Sequence, residues 1–138
     1  MVSMQPLQPD GAPDGYVPGV CNIGPWEIRR RRATSLVAFV AAALLFAALV
    51  AFGAPAWSRL LLLLPLTGGV FSWLQARRRF CAGFAVAGIA NFGDESDLQR
   101  SVQDDEARRA DLAAVRRMTR DAVLIALPIT IVAALLPV

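Results

Sequence analysis

Apolar residues along the chain are concentrated in three runs, which polar stretches separate. The runs cover residues 34–54, 60–76 and 122–138. A helix needs about 20 apolar residues to cross the hydrocarbon core of a bilayer, and about 17 is the lower limit. The pattern therefore predicts an all-α membrane protein with three transmembrane helices. The short turn GAPAW separates the first two runs and predicts that they form a helical hairpin.

Two segments between the second and third runs have a different pattern. Residues 80–92 are apolar, but thirteen residues of helix reach only about 20 Å, too short to span. This length predicts an interfacial or re-entrant segment. Residues 94–121 carry acidic residues first and arginines last, in the order that the helix dipole favours. They predict an amphipathic, charged cytoplasmic helix, capped at its start by Asp94 or Ser96.

Residues 1–20 differ from the rest because they contain four prolines and three glycines. Such spacing interrupts helices and strands repeatedly, so we expect a disordered arm. The segment has neither a basic start nor an apolar core, and it is therefore interpreted as a cytoplasmic tail and not as a secretory signal. After it, Asn22-Ile23-Gly24-Pro25 predicts a helix entry turn with Pro25 at the first helical position.

Charge predicts the orientation of the chain in the membrane. The protein has 56% hydrophobic residues, too many for an ordinary soluble domain, and all fourteen basic residues are arginines. With the N-terminus in the cytoplasm, thirteen of the fourteen lie on that side and Arg59 alone lies outside. We therefore expect a multi-pass protein of a bacterial cytoplasmic membrane with its C-terminus outside. If residues 122–138 only lie on the membrane, the C-terminus stays inside and the hairpin keeps its orientation.

The absence of histidine limits the chemistry of the chain. Without an imidazole there is no histidine base, metal ligand or axial haem ligand. The runs 34–54 and 60–76 hold no ionisable residue, which argues against a proton relay or an ion pathway. We expect no enzyme activity, no catalytic residue, no cofactor, no metal and no nucleic-acid partner.

Cys21 and Cys81 flank the predicted hairpin and should both lie near the cytoplasmic surface. They form a possible thiol pair, acting as a dithiol switch or as soft-metal ligands. The alternative is that both are ordinary reduced cysteines, because the cytosol keeps thiols reduced and free cysteines usually behave as small hydrophobic residues.

Two arginine clusters lie at the cytoplasmic ends of the predicted hairpin. Guanidinium groups bind phosphate well, so these residues are candidates for lipid head-group contact: Arg29, Arg30, Arg31, Arg32, Arg77, Arg78 and Arg79. The alternative is that they only mark the topology. Glu27 is interpreted as an intramolecular partner for these arginines.

The first run carries small residues at a spacing of four, Ala43, Ala47 and Ala51. Such a ridge allows close approach of another helix. We expect it to pack either against Gly68 and Gly69 of the second run or against a different protein. Pro65 and the glycines after it also predict a kink in the second helix.

Several of these residues resemble those of a family of small bacterial membrane proteins of unknown function, which also supplies the membrane anchor of an inner-membrane rhodanese. The resemblance covers residues 21–93 and is carried by the following residues: Asn22, Gly24, Glu27, Arg29 to Arg32, Pro65, Leu66, Gly68, Cys81 and Gly88 to Asn91. The chain departs from the family pattern at Arg77 to Arg79, which are inserted before the cysteine, and at Ala82, where the family often has proline. The resemblance implies the architecture of a membrane hairpin more than a function.

Three functions fit these features. The first is a non-catalytic accessory or structural subunit of a larger membrane complex, such as a respiratory or photosynthetic assembly, whose partners are other integral membrane proteins and anionic lipids. The second is a stand-alone membrane protein that handles thiols or sulfur through Cys21 and Cys81. The third is a homo-oligomeric protein that binds anionic lipids. We expect the first.

Overall fold

The computed structural model describes residues 17–90, 100–101 and 104–138 of the chain. These residues are mostly helical, and three helical segments are long and apolar enough to cross a membrane. The predicted arm up to residue 16 and the predicted caps Asp94 and Ser96 lie outside the described residues.

Helix α1 spans Pro25–Ala51 and begins at the predicted proline. The fixed φ of proline suits the first helical position, where its missing N–H costs no hydrogen bond. At the other end Gly53 has a φ of 64°. Its N–H donates to Val50 O (3.1 Å) and that of Ala54 to Leu49 O (3.0 Å). This pair of bonds is the Schellman motif, which satisfies the last carbonyls of a helix.

The second apolar run forms a 3₁₀ helix, Ala56–Leu62, followed directly by helix α2, Leu63–Arg78. Pro65 therefore lies in the first turn of α2, where its missing N–H is tolerated. The helix continues through Gly68 and Gly69 to Arg78. The structure thus places Pro65 at the start of an α-helix, not at a kink within one, because the 3₁₀ turns precede it.

Residues after α2 form a short helix, α3, Ala82–Ala87, and a strand, β1, Ile89–Ala90. The strand pairs in antiparallel fashion with β2, Arg100–Ser101, so that Ile89 lies opposite Ser101. The predicted segment 80–92 is therefore not one continuous helix. Gly88, with a φ of 73°, ends α3 after two turns, and residues 91–92 lie outside the described part.

Helix α4 spans Asp105–Leu135 without interruption. The prediction divided this region into a charged helix, 94–121, and a separate span, 122–138, whereas the structure has one helix that begins later. Its cap is Asp104, whose Oδ2 accepts the N–H of Ala107 (3.1 Å). Pro128 lies inside the helix, and nearby Thr130 Oγ1 donates to Ala126 O (2.9 Å).

The chain divides into two compact units. The first unit falls within Met1–Arg30 and Gln75–Arg117, and its described core includes Ile23, Phe80 and Ala85. The second unit comprises Arg31–Leu74 and Met118–Val138. Its core contains Val70, Leu74 and Ala122, with Phe71 packed against them.

Candidate functional site

Asn22 makes three hydrogen bonds to the segment that follows α2. Its side chain is fully buried and brackets one peptide of Cys81: Nδ2 donates to Cys81 O (3.1 Å), and Cys81 N donates to Oδ1 (2.7 Å). Its own backbone N–H donates to Arg79 O (3.1 Å). We call these three bonds the Asn22 latch. They hold the segment before α1 against the segment after α2, and satisfy polar groups that burial would otherwise leave unpaired.

The two cysteines lie on the two segments that the Asn22 latch joins. Both are free thiols; Cys21 is half-buried and Cys81 is buried. Burial raises the pKa of the Cys21 thiol, and a backbone hydrogen bond at Ile23 and the charge of Arg79 offset this rise only in part. A raised pKa reduces the thiolate fraction at neutral pH, and the thiolate is the reactive form. The environment of Cys21 therefore disfavours nucleophilic reactivity.

Glu27 is a fully buried carboxylate in the first turn of α1. Its Oε1 lies 3.8 Å from Nη1 of Arg30, an ion pair but too long for a hydrogen bond. Neither carboxylate oxygen accepts a hydrogen bond within the described residues. The guanidinium of Arg30 also lies over the Trp26 ring, 5.6 Å from its centroid. The expected pairing of Glu27 with the arginine cluster is thus seen with Arg30.

The predicted lipid-contact arginines are exposed, except for Arg31, which is half-buried. The first unit holds Arg29 and Arg30 at the start of α1 and Arg77 to Arg79 at the end of α2. Arg31 and Arg32 belong to the second unit.

Residues 17–20 belong to the predicted disordered arm but are placed in the structure. Val17 and Cys21 form an isolated antiparallel β-bridge through their backbones. Between them, Gly19 has a φ of 70° and donates its N–H to Asp111 Oδ1 (2.7 Å). A Cβ on Gly19 would lie 3.0 Å from Ala110 O, so this turn requires glycine for both its backbone conformation and its close approach to α4. The buried carboxylate of Asp111 positions the turn, a role that no local pattern indicates because the partners are 92 residues apart.

The alanine ridge, Ala43, Ala47 and Ala51, lies on an exposed face of α1. One of the two predicted arrangements placed this ridge against Gly68 and Gly69 of α2. The structure does not show that packing. Gly69 faces other residues of α1, since a Cβ there would lie 2.7 Å from the Phe39 ring and 3.3 Å from Ala38. Gly68 has open space where its side chain would be. Ser35 Oγ makes the adjoining link, donating to Gly69 O (2.9 Å).

Sequence reasoning missed the role of Arg59. This residue of the 3₁₀ helix is only 4% exposed. Its Nη1 donates to Ala133 O (3.1 Å) and Leu136 O (2.8 Å), and its Nη2 donates to Val138 O. Its guanidinium lies 5.8 Å from the centroid of the Phe46 ring. Arg59 thus satisfies carbonyls at the C-terminal end of α4 that have no partner within the helix.

Among the described residues, no three His, Cys, Asp or Glu side chains are grouped so that they could hold a metal ion. The described fold is that of a mostly helical chain compatible with a multi-pass membrane protein. No protein-family model, curated protein or solved structure matches the chain. The resemblance to the membrane-hairpin family stays a prediction.

Proposed function

We propose that this protein is a non-catalytic accessory subunit of a larger bacterial membrane complex, and that it binds integral membrane partners through its exposed helix faces. Helix α1 and the second run form a transmembrane hairpin, and the second half of α4 forms a third span. The N-terminus and the charged first half of α4 lie in the cytoplasm, with the short segment around α3 at the membrane surface.

Contacts within the second unit support the hairpin. Ser35 near the start of α1 bonds to Gly69 of α2, and Phe46 near its end contacts Arg59 of the 3₁₀ helix. From the first pair to the second, the residue number rises along α1 and falls along the second run, as expected for antiparallel helices. The same Arg59 holds the end of α4, which supports placing that end on the side of the turn between α1 and α2.

The observation that carries the proposal is the uncovered alanine ridge. Of the most apolar stretch of α1, 11% is buried within the chain. Lipid chains can cover large side chains on the rest of this helix, but a row of alanines offers lipid little contact. It offers another helix a close approach, because small residues bring two backbones together and allow extensive van der Waals contact.

The test is isolation of the protein from its own membranes in a mild detergent, followed by native-gel electrophoresis and mass spectrometry of the band. The wild type is expected to migrate with stable companion subunits. Ala47→Leu should remove or weaken these companions, because the three carbons that leucine adds beyond Cβ push the partner helix away from the ridge.

Ala41→Leu provides the matched control. Ala41 is also exposed, and it lies about 120° around the helix from the centre of the ridge. This variant should keep the companions. Migration of the wild type as an isolated small protein, or equal losses for both variants, would contradict the proposal.

A further inference from the structure

Three helices of the described chain end in a residue with left-handed backbone. Gly53 after α1 and Gly88 after α3 have φ values of 64° and 73°. The third is Arg79 after α2, with a φ of 54°, and it is the only non-glycine residue with positive φ among the described residues. Glycine takes this conformation without steric cost, whereas a side chain is strained there. The chain therefore uses glycine at two such positions and keeps an arginine at the third.

The conformation of Arg79 is enforced by its surroundings. Arg79 N donates to Ala76 O (3.4 Å) and Phe80 N donates to Gln75 O (2.9 Å), which together form a Schellman motif. Arg79 O accepts the Asn22 N–H of the latch, and Phe80 is 1% exposed in the core. All of these bonds join backbone atoms, and none uses the side chain of Arg79. Glycine would form the same turn at lower cost, so the reason to keep arginine lies in its exposed side chain.

Four further exposed arginines of the first unit lie on the two segments that the Asn22 latch joins. Arg77 and Arg78 are exposed beside Arg79, and Arg29 and Arg30 are exposed at the start of α1, on the segment that the latch joins to Arg79. Glu27, the single carboxylate among residues 17–30, is fully buried, and its Oε1 lies 3.8 Å from Nη1 of Arg30.

We propose that Arg79, with Arg29, Arg30, Arg77 and Arg78, binds the phosphate of an anionic phospholipid headgroup. Guanidinium matches phosphate with two parallel hydrogen bonds, and clusters of arginine beside apolar helices bind anionic lipid surfaces. The occupant is a lipid and not a free anion, because these residues directly precede the apolar part of α1 and directly follow that of α2. The proposal requires a membrane location but does not depend on the accessory-subunit function.

In the experiment, phosphatidylglycerol or phosphatidylcholine is added to the whole protein in neutral detergent. Lipid binding is measured by native mass spectrometry, and Tm is measured by thermal unfolding. Phosphatidylglycerol should be retained and should raise the Tm of the wild type more than phosphatidylcholine does. Arg79→Gly should have a Tm at or above that of the wild type in detergent alone, because the backbone strain is relieved. It should nevertheless bind phosphatidylglycerol about fivefold more weakly, since one cation near the lipid is lost.

Two variants control for charge. Arg79→Lys keeps the cation and should retain most of the lipid effect. Arg109→Gln removes an exposed arginine from α4 and should bind phosphatidylglycerol as the wild type does.

Three results would overturn the proposal. The first is equal phosphatidylglycerol binding by Arg79→Gly and the wild type. The second is a lower Tm of Arg79→Gly in detergent alone, which would assign the arginine a structural role. The third is an equal Tm increase with soluble inorganic phosphate, which would assign the surface to a free anion.

Discussion

Three buried polar side chains link segments that are distant in sequence: Asn22, Asp111 and Arg59. The hydrogen-bond partner of Asn22 is 59 residues away in the sequence, that of Asp111 is 92 residues away, and the farthest partner of Arg59 is 79 residues away. Each bonds to backbone groups at the end of an element or in a turn, where a helix or sheet cannot supply the partner. At the residue scale the fold therefore depends on a few specific hydrogen bonds in addition to apolar packing.

Arg59→Met tests the strongest of these links. Methionine fills similar volume but donates no hydrogen bond, so the carbonyls of Ala133, Leu136 and Val138 lose the Arg59 donor. Leu136 O keeps the N–H of Val138 (2.9 Å), whereas the residue four positions after Ala133 is Pro137, which has no N–H to offer. We expect the free energy of unfolding to fall by about 2–4 kcal/mol. Hydrogen exchange in the last turn of α4 should accelerate together with the loss of Tm.

Arg120→Met is the matched control, because Arg120 is an exposed arginine whose described partner is the adjacent Asp121. Its Tm should stay close to that of the wild type. A Tm loss of the same size in both variants would show that Arg59 does not hold α4 through these bonds.

At the element scale, the continuity of α4 is the main departure from the predicted arrangement. The change from charged to apolar residues near residue 121 favoured two separate segments. A change in solvent preference does not require a break in the backbone, however, because helix hydrogen bonds are local and do not depend on the polarity of the side chains. Glycine or proline would have indicated a break, and neither occurs between Asp105 and Leu127.

Asp121→Pro distinguishes one helix from two. Within a continuous α4, proline removes a hydrogen bond and clashes with the preceding turn, at a cost of about 3 kcal/mol. At the start of a separate helix, proline would be tolerated. We expect a marked loss of Tm and of helical circular dichroism for Asp121→Pro, while Asp121→Ala, which removes only the carboxylate, should lose little. Nearly equal Tm values for the two variants would indicate two helices.

At the scale of the whole molecule, the accessory-subunit proposal is independent of the thiols. The double variant Cys21→Ser, Cys81→Ala should keep the native-gel companions of the wild type, because the proposal assigns their binding to exposed helix faces and not to sulfur atoms. Alanine is chosen at position 81 because that side chain is buried and serine would place a hydroxyl there.

Circular dichroism of the double variant confirms that it is folded before the gel is interpreted. Loss of the companions from a folded double variant would favour the function in thiol or sulfur handling.

The sequence by itself determined the helical class, the three apolar segments and the start of α1, because these follow from local composition, run length and the fixed φ of proline. It also limited the candidate surfaces to the arginine clusters, the cysteines and the alanine ridge. Tertiary structure alone decided which residues meet. The Asn22 latch, the contact of Arg59 with α4 and the strained backbone of Arg79 depend on partners or packing that local sequence patterns do not encode. Likewise, the exposure of Ala43, Ala47 and Ala51 and the packing of Gly69 on Phe39 are seen only in the tertiary structure.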